Sequence, residues 1–95
     1  MKCALITGGS RGIGKAICTQ LAIDTDYHII INYNSNEDAA KDTLKAVQEA
    51  GNTGEILPFN VSDGEQVKSQ LDAWQDNNPD ALIEVIINNA GITKD

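Results

Sequence analysis

Four short apolar runs alternate with three stretches of helical spacing, and this alternation leaves few folds open. The first run is Cys3-Ala4-Leu5-Ile6, the second Ile29-Ile30-Ile31, the third lies within Glu55 to Val61, and the fourth is Val85-Ile86-Ile87. A strand that is apolar on both faces needs cover on both sides, which a parallel sheet between helix layers provides. Between the runs, Ile13, Ile17 and Leu21 recur at four-residue spacing, as do Ala40, Leu44 and Val47 and then Val67, Leu71 and Trp74 at closely similar spacing. The pattern predicts strands at Lys2 to Thr7, Tyr27 to Asn32, Glu55 to Val61 and Ala81 to Asn88. Helices are expected from Gly12 to Ile23, from just after Ser35 to Ala50, and up to Asn77.

Boundary residues support these divisions. Ser35 with Asp38, and Ser62-Asp63-Gly64-Glu65, read as helix-capping patterns. Gly51 reads as the stop of the second helix, and Asn77-Asn78-Pro79 as the end of the third. Strands separated by helices pair in parallel through right-handed crossovers. The expected class is α/β, with spatial strand order 3-2-1-4, the N-terminal half of a doubly wound parallel sheet. In that order the sheet reverses between the first and fourth strands, and a ligand is expected in the crevice at their carboxyl ends.

Thr7-Gly8-Gly9-Ser10-Arg11-Gly12-Ile13-Gly14 joins the first strand to the first helix. A glycine turn of this kind lets an anion approach backbone N–H groups and the positive end of the helix. Its spacing, Thr-Gly-x-x-x-Gly-x-Gly, differs from the Gly-x-Gly-x-x-Gly dinucleotide fingerprint. The overlapping Gly9-x-x-x-x-Gly14-Lys15 imitates a P-loop, but Ala16 stands where a magnesium-holding Ser or Thr is required, which argues against phosphoryl transfer. Asn88-Asn89-Ala90-Gly91 follows the fourth strand and is expected to open onto the same crevice.

Composition narrows the partners. The formal charge is −7, which disfavours a nucleic-acid duplex or an anionic membrane. No run approaches the roughly 20 apolar residues of a membrane span. Cys3 and Cys18 form no C-x-x-C pair and there is a single His, so metal chemistry has little support. Reduced, packed cysteines fit a cytoplasmic protein.

On the glycine loop and the Asn88–Gly91 segment together, the chain resembles the short-chain dehydrogenase/reductase family, a Rossmann-like group. Within it, Gly9 to Ile17, Asn60-Val61-Ser62-Asp63 and Gly91-Ile92-Thr93-Lys94-Asp95 are similar to 3-oxoacyl-acyl-carrier-protein reductases. The resemblance implies a nicotinamide cofactor, with Gly8, Gly12, Ile13 and Gly14 around its pyrophosphate and Ser10 on the cofactor side of the site. It further implies Asn60 and Val61 at the adenine edge, Asn88, Ala90 and Gly91 along the adenosine ribose, and Thr7 tying the first strand to that segment. It implies an acyl-carrier-protein-linked substrate and a homo-oligomer for a full-length relative.

Cofactor choice is readable from the end of the second strand. NAD-preferring sites place an acid there to hold the ribose 2′-hydroxyl. Here the sequence runs Asn32-Tyr33-Asn34-Ser35, with the first acid at Glu37. With Arg11 available to grip a phosphate, NADP(H) is the expected cofactor. The family's catalytic Tyr-x-x-x-Lys is absent, because Ile31 follows Tyr27 and Glu37 follows Tyr33 at that spacing. No residue is therefore assigned a catalytic role. Residues 1–95 are expected to be a partial dinucleotide-binding domain that stops after the fourth strand, inactive alone, with an apolar strand edge open to association. The alternative is a non-catalytic nucleotide-binding module complete at this length.

Overall fold

The structure is a computed structural model and describes residues 1–10 and 12–89. Strand β1 spans Lys2–Thr7, β2 His28–Tyr33, β3 Gly54–Pro58 and β4 Leu82–Asn88. Helix α1 spans Gly12–Asp24, α2 Glu37–Glu49 and α3 Gly64–Asn77. The strands form one sheet in the order β3-β2-β1-β4, and every pair is parallel. This is the expected Rossmann-like half-sheet.

Side-chain alternation along the strands divides the interior into two layers. Ala4, Ile6, Ile29 and Ile31 pack with Cys18 and Ala22 of α1 and Ala40 and Val47 of α2. Cys3, Leu5 and Ile30 point to the other face and pack with Phe59 and with Trp74 of α3. The Ile29–Ile31 run is fully buried because both faces of β2 are covered. Both cysteines are free and buried.

The buried stripe of α1 is one residue away from its expected place. Gly14, Cys18 and Ala22 face the sheet, whereas Ile13 is 68% exposed and Ile17 and Leu21 are half-buried. Small side chains win here because the helix lies close to the glycine loop. An added Cβ at Gly14 would stand 2.1 Å from the Gly8 carbonyl oxygen.

Other boundaries moved for local reasons. Strand β2 runs one residue later than expected, through Tyr33, and β4 begins at Leu82. Strand β3 stops at Pro58 rather than Val61, since proline offers no N–H to continue a ladder. The cap of α2 is Asn36, whose side chain accepts from Ala39 N at 3.1 Å, rather than Ser35. Asp63, not Ser62, caps α3 by accepting from Gln66 N. Gly51 closes α2 at φ 91°.

The Val85-Ile86-Ile87 run is half-buried rather than core. Val85 and Ile87 pack on the α1/α2 layer, but Ile86 is 56% exposed. Strand β4 is the edge of the described sheet, and its Ile83 packs on the cluster that includes Trp74 of α3. A register shift between Cys3 and Ala4 leaves Glu84 as the extra residue of the pairing.

At the amino-terminal end of the strands, Glu55 joins three elements. Its carboxylate accepts from Trp74 Nε1 at 2.8 Å and lies 2.8 Å from His28 Nε2. Replacing Trp74 by Phe removes the indole N–H and is expected to lower stability by about 1–2 kcal/mol. Urea denaturation followed by circular dichroism reads this directly.

Candidate functional site

The carboxyl ends of all four strands open onto one pocket of about 660 Å³. Gly8, Ser10, Gly12 and Ile13 line it after β1, Asn32 to Asn36 after β2, Phe59 to Ser62 after β3, and Asn89 after β4. The glycine loop and the segment following β4 therefore meet, as their position at the sheet reversal requires. Their contact is direct: Asn89 Nδ2 donates to the Gly8 carbonyl at 3.2 Å.

The loop's shape follows from its glycines. Gly8 and Gly12 have φ values of 62° and 61°, in the left-handed region that side chains disfavour. Helix α1 starts at Gly12, so its first N–H groups have no partner within the helix and face the loop's open side. Three side chains fix the backbone beside them. Asn32 Oδ1 accepts from Gly8 N at 3.0 Å. The buried Thr43 of α2 donates to the Ser10 carbonyl at 2.6 Å. Thr7 Oγ1 donates to the Ile87 carbonyl at 3.3 Å and accepts from Asn89 N at 2.9 Å, tying β1 to the end of β4.

The sequence-predicted residues fall into four groups. Gly8, Ser10, Gly12, Ile13, Asn32, Tyr33, Asn34, Ser35, Asn60 and Val61 line the pocket. Thr7 and Gly14 lie beneath it and brace the loop. Asn88 is exposed at the end of β4, in register with Thr7, and is not among the lining residues. Arg11, Ala90 and Gly91 lie outside the described residues. Asn89, Asn36, Phe59 and Ser62 also line the pocket and were not singled out from the sequence. Asn89 carried a signal, since it sits in the same tetrapeptide as its assigned neighbours. Thr43 carried none, because its role depends on α2 packing beside the loop.

The described lining contains no Asp or Glu. Tyr33 turns its hydroxyl to Glu37 Oε1 at 3.3 Å, and burial followed by that carboxylate raises its pKa above the usual tyrosine value. Asn60 uses its side-chain oxygen locally, accepting from Ser62 N at 2.9 Å. Such a pocket, polar and without carboxylates, with a helix N-terminus at one wall, suits an elongated anionic ligand.

Comparison with known proteins agrees with this geometry. The short chain dehydrogenase family model matches residues 2–95. The 3-oxoacyl-[acyl-carrier-protein] reductase FabG of Staphylococcus epidermidis is 36% identical over 94 residues, covering 99% of this chain and 37% of that protein. The chain thus spans little more than a third of such relatives. The short-chain dehydrogenase/reductase homolog YusS of Bacillus subtilis is 32% identical over 93 residues, covering 98% of this chain and 83% of that protein. A dehydrogenase from Burkholderia cenocepacia with bound NADP superposes with a TM-score of 0.80 at 27% identity, over 92% of this chain and 33% of its own.

Two outcomes follow from the packing of the loop. Gly14→Ala forces a Cβ against the Gly8 carbonyl and is expected to cost about 3 kcal/mol or more, read as a fall in urea midpoint. Burial pushes the Cys18 thiol up to about 12 in the fold. A raised folded-state pKa means stability intact below the unfolded thiol's value and lost as pH rises through the folded one. The urea midpoint should hold up to about pH 8.5 and fall progressively above it, a fall that Cys18→Ala reduces and that the buried Cys3 thiol, also pushed up by burial, keeps from vanishing.

Proposed function

The chain belongs to the short-chain dehydrogenase family of oxidoreductases, and from that membership we propose that it forms the NADP(H)-binding segment of a carbonyl reductase. The observation that carries this reading is the meeting of the glycine loop and Asn89 across one pocket at the sheet reversal whose described lining holds no carboxylate. The diphosphate lies over the first turn of α1, the adenine against the Phe59–Val61 wall, and the 2′-phosphate near Tyr33, Asn34 and Ser35. Arg11 supplies the positive charge for that phosphate. Asn88, Ala90 and Gly91 follow the adenosine ribose.

In this reading residues 1–95 are the nucleotide part of a longer dinucleotide-binding domain. The Ser, Tyr and Lys that move the proton come from polypeptide outside them, so this segment alone reduces nothing. Tyr27 and Tyr33 take no part, because each hydroxyl is bonded to a carboxylate, Glu84 and Glu37 respectively. The substrate is a 3-oxoacyl thioester on an acyl carrier protein, the full-length enzyme is a homo-oligomer, and it acts in the cytoplasm in fatty acid synthesis. Similarity to the FabG reductases supports the substrate. A second reading, a nucleotide-binding module without chemistry of its own, is favoured by the YusS relative, most of which this chain matches.

Calorimetric titration of the 95-residue chain with NADP⁺ and NAD⁺ tests the cofactor. NADP⁺ is expected to bind at least about tenfold tighter, a difference of roughly 1.4 kcal/mol. Equal or tighter NAD⁺ binding overturns the assignment. Arg11→Ala should erase most of the preference while leaving NAD⁺ binding unchanged. Weak but selective binding supports the segment of a larger enzyme, whereas tight binding without ketone reduction supports the module.

A further inference from the structure

Asn32 lines the pocket, yet its side chain is committed elsewhere. It is 2% exposed. Its Oδ1 accepts from Gly8 N at 3.0 Å, and its Nδ2 lies 3.2 Å from the Leu57 carbonyl and 3.1 Å from the Phe59 carbonyl. A third carbonyl, that of Tyr33, is 3.4 Å away. The Asn32 backbone carbonyl also accepts from Gly9 N at 3.0 Å. One residue at the end of β2 therefore grips the glycine loop on one side and the end of β3 on the other.

Resting on the nucleotide-binding reading, we propose that Asn32 is a positioning residue for this pocket. It sets the height of the glycine loop relative to the Phe59–Val61 wall and withholds the Gly8 N–H from the ligand. The chemistry of the position requires an amide. Gly8 N needs an acceptor while Leu57 and Phe59 offer only carbonyl oxygens, and asparagine supplies acceptor and donors from a single branch. An aliphatic replacement of similar size would leave buried polar groups unpaired. A carboxylate would satisfy Gly8 but face the two carbonyls with no proton to give them.

The consequence is a division of labour along the loop. Because the Gly8 amide is occupied, the diphosphate meets the amides of the α1 first turn, at Gly12, Ile13 and Gly14. The adenine wall and the phosphate loop then move as one body, since the same side chain is bonded to both.

Amide exchange and nucleotide titration by NMR test this in the 95-residue chain. In the wild type the Gly8 amide should be protected and show a through-hydrogen-bond coupling to Asn32 Cγ. Both should persist on adding NADP⁺, while the Ile13 and Gly14 amides shift. In Asn32→Asp, a protonated carboxyl donates to β3 and accepts from Gly8, whereas an ionised one is repelled by the carbonyls. Measured against wild type at each pH, since the 2′-phosphate of NADP⁺ itself ionises at about pH 6, NADP⁺ affinity in this variant should therefore fall at least about tenfold between pH 5.5 and 8, the size of one buried hydrogen bond. Gly8 and Phe59 amide shifts should titrate together with it. Tyr33 with Glu37 stands on the other face of the sheet, and Asp63 caps α3, so neither acid faces the new carboxyl.

Fast Gly8 exchange in the wild type, or loss of its coupling when NADP⁺ binds, overturns the proposal even if Asn32→Asp does not fold. So does a variant whose affinity relative to wild type ignores pH. A wild type that fails to bind NADP⁺ defeats the functional reading instead, and the Gly8 exchange and coupling still judge the clamp.

Discussion

Gly14 of α1 lies against the Gly8 carbonyl with no side chain between them, and the site is built outward from that contact. Any Cβ at Gly14 would fall within 2.9 Å of Gly8, Gly9 and Asn89 at once. With the gap closed, the amino end of α1 sits beside the end of β1, and its first turn, whose N–H groups have no partner within the helix, borders the pocket at Gly12 and Ile13. The same closeness explains why Cys18 and Ala22, rather than the larger isoleucines, form the buried side of α1. It also leaves Ile13 free to line the pocket as an apolar wall.

Around this contact, polar side chains at the strand ends carry what glycine cannot. Thr7 and Asn89 bind β1 to β4, Asn32 binds β1 to β3 through β2, and Thr43 holds the far side of the loop from α2. These groups are buried, so each unmade bond would be costly. Gly8 and Ser10 are thus held by bonds from neighbouring side chains, not by stiffness of their own.

The strand order and the meeting of the two motifs were legible because they depend on periodicity and on a sheet reversal that alternation forces. Residues whose role depends on helix packing were less so. Four-residue spacing of isoleucines in α1 is a sound signal of a buried face, but it carries no information about how near the sheet lies, and nearness selected the smaller stripe. Pro58 was a visible end to β3 that the apolar run beyond it obscured. Asn32 reads from the sequence as a donor at the end of a strand. Only the positions of Gly8, Leu57 and Phe59 reveal that its hydrogen bonds are internal.

Glu55, His28 and Trp74 meet at the opposite end of the strands from the pocket, and Trp74 is the chain's lone tryptophan. From Glu55 to Phe59 the chain advances about 13 Å at strand rise. Emission excited selectively from the indole therefore originates at the contact between α3 and β3, at the far end of the strands from the glycine loop, whereas Tyr33 lines the pocket itself. Light from the indole alone reports whether α3 is seated on the sheet, not what stands over the glycine loop.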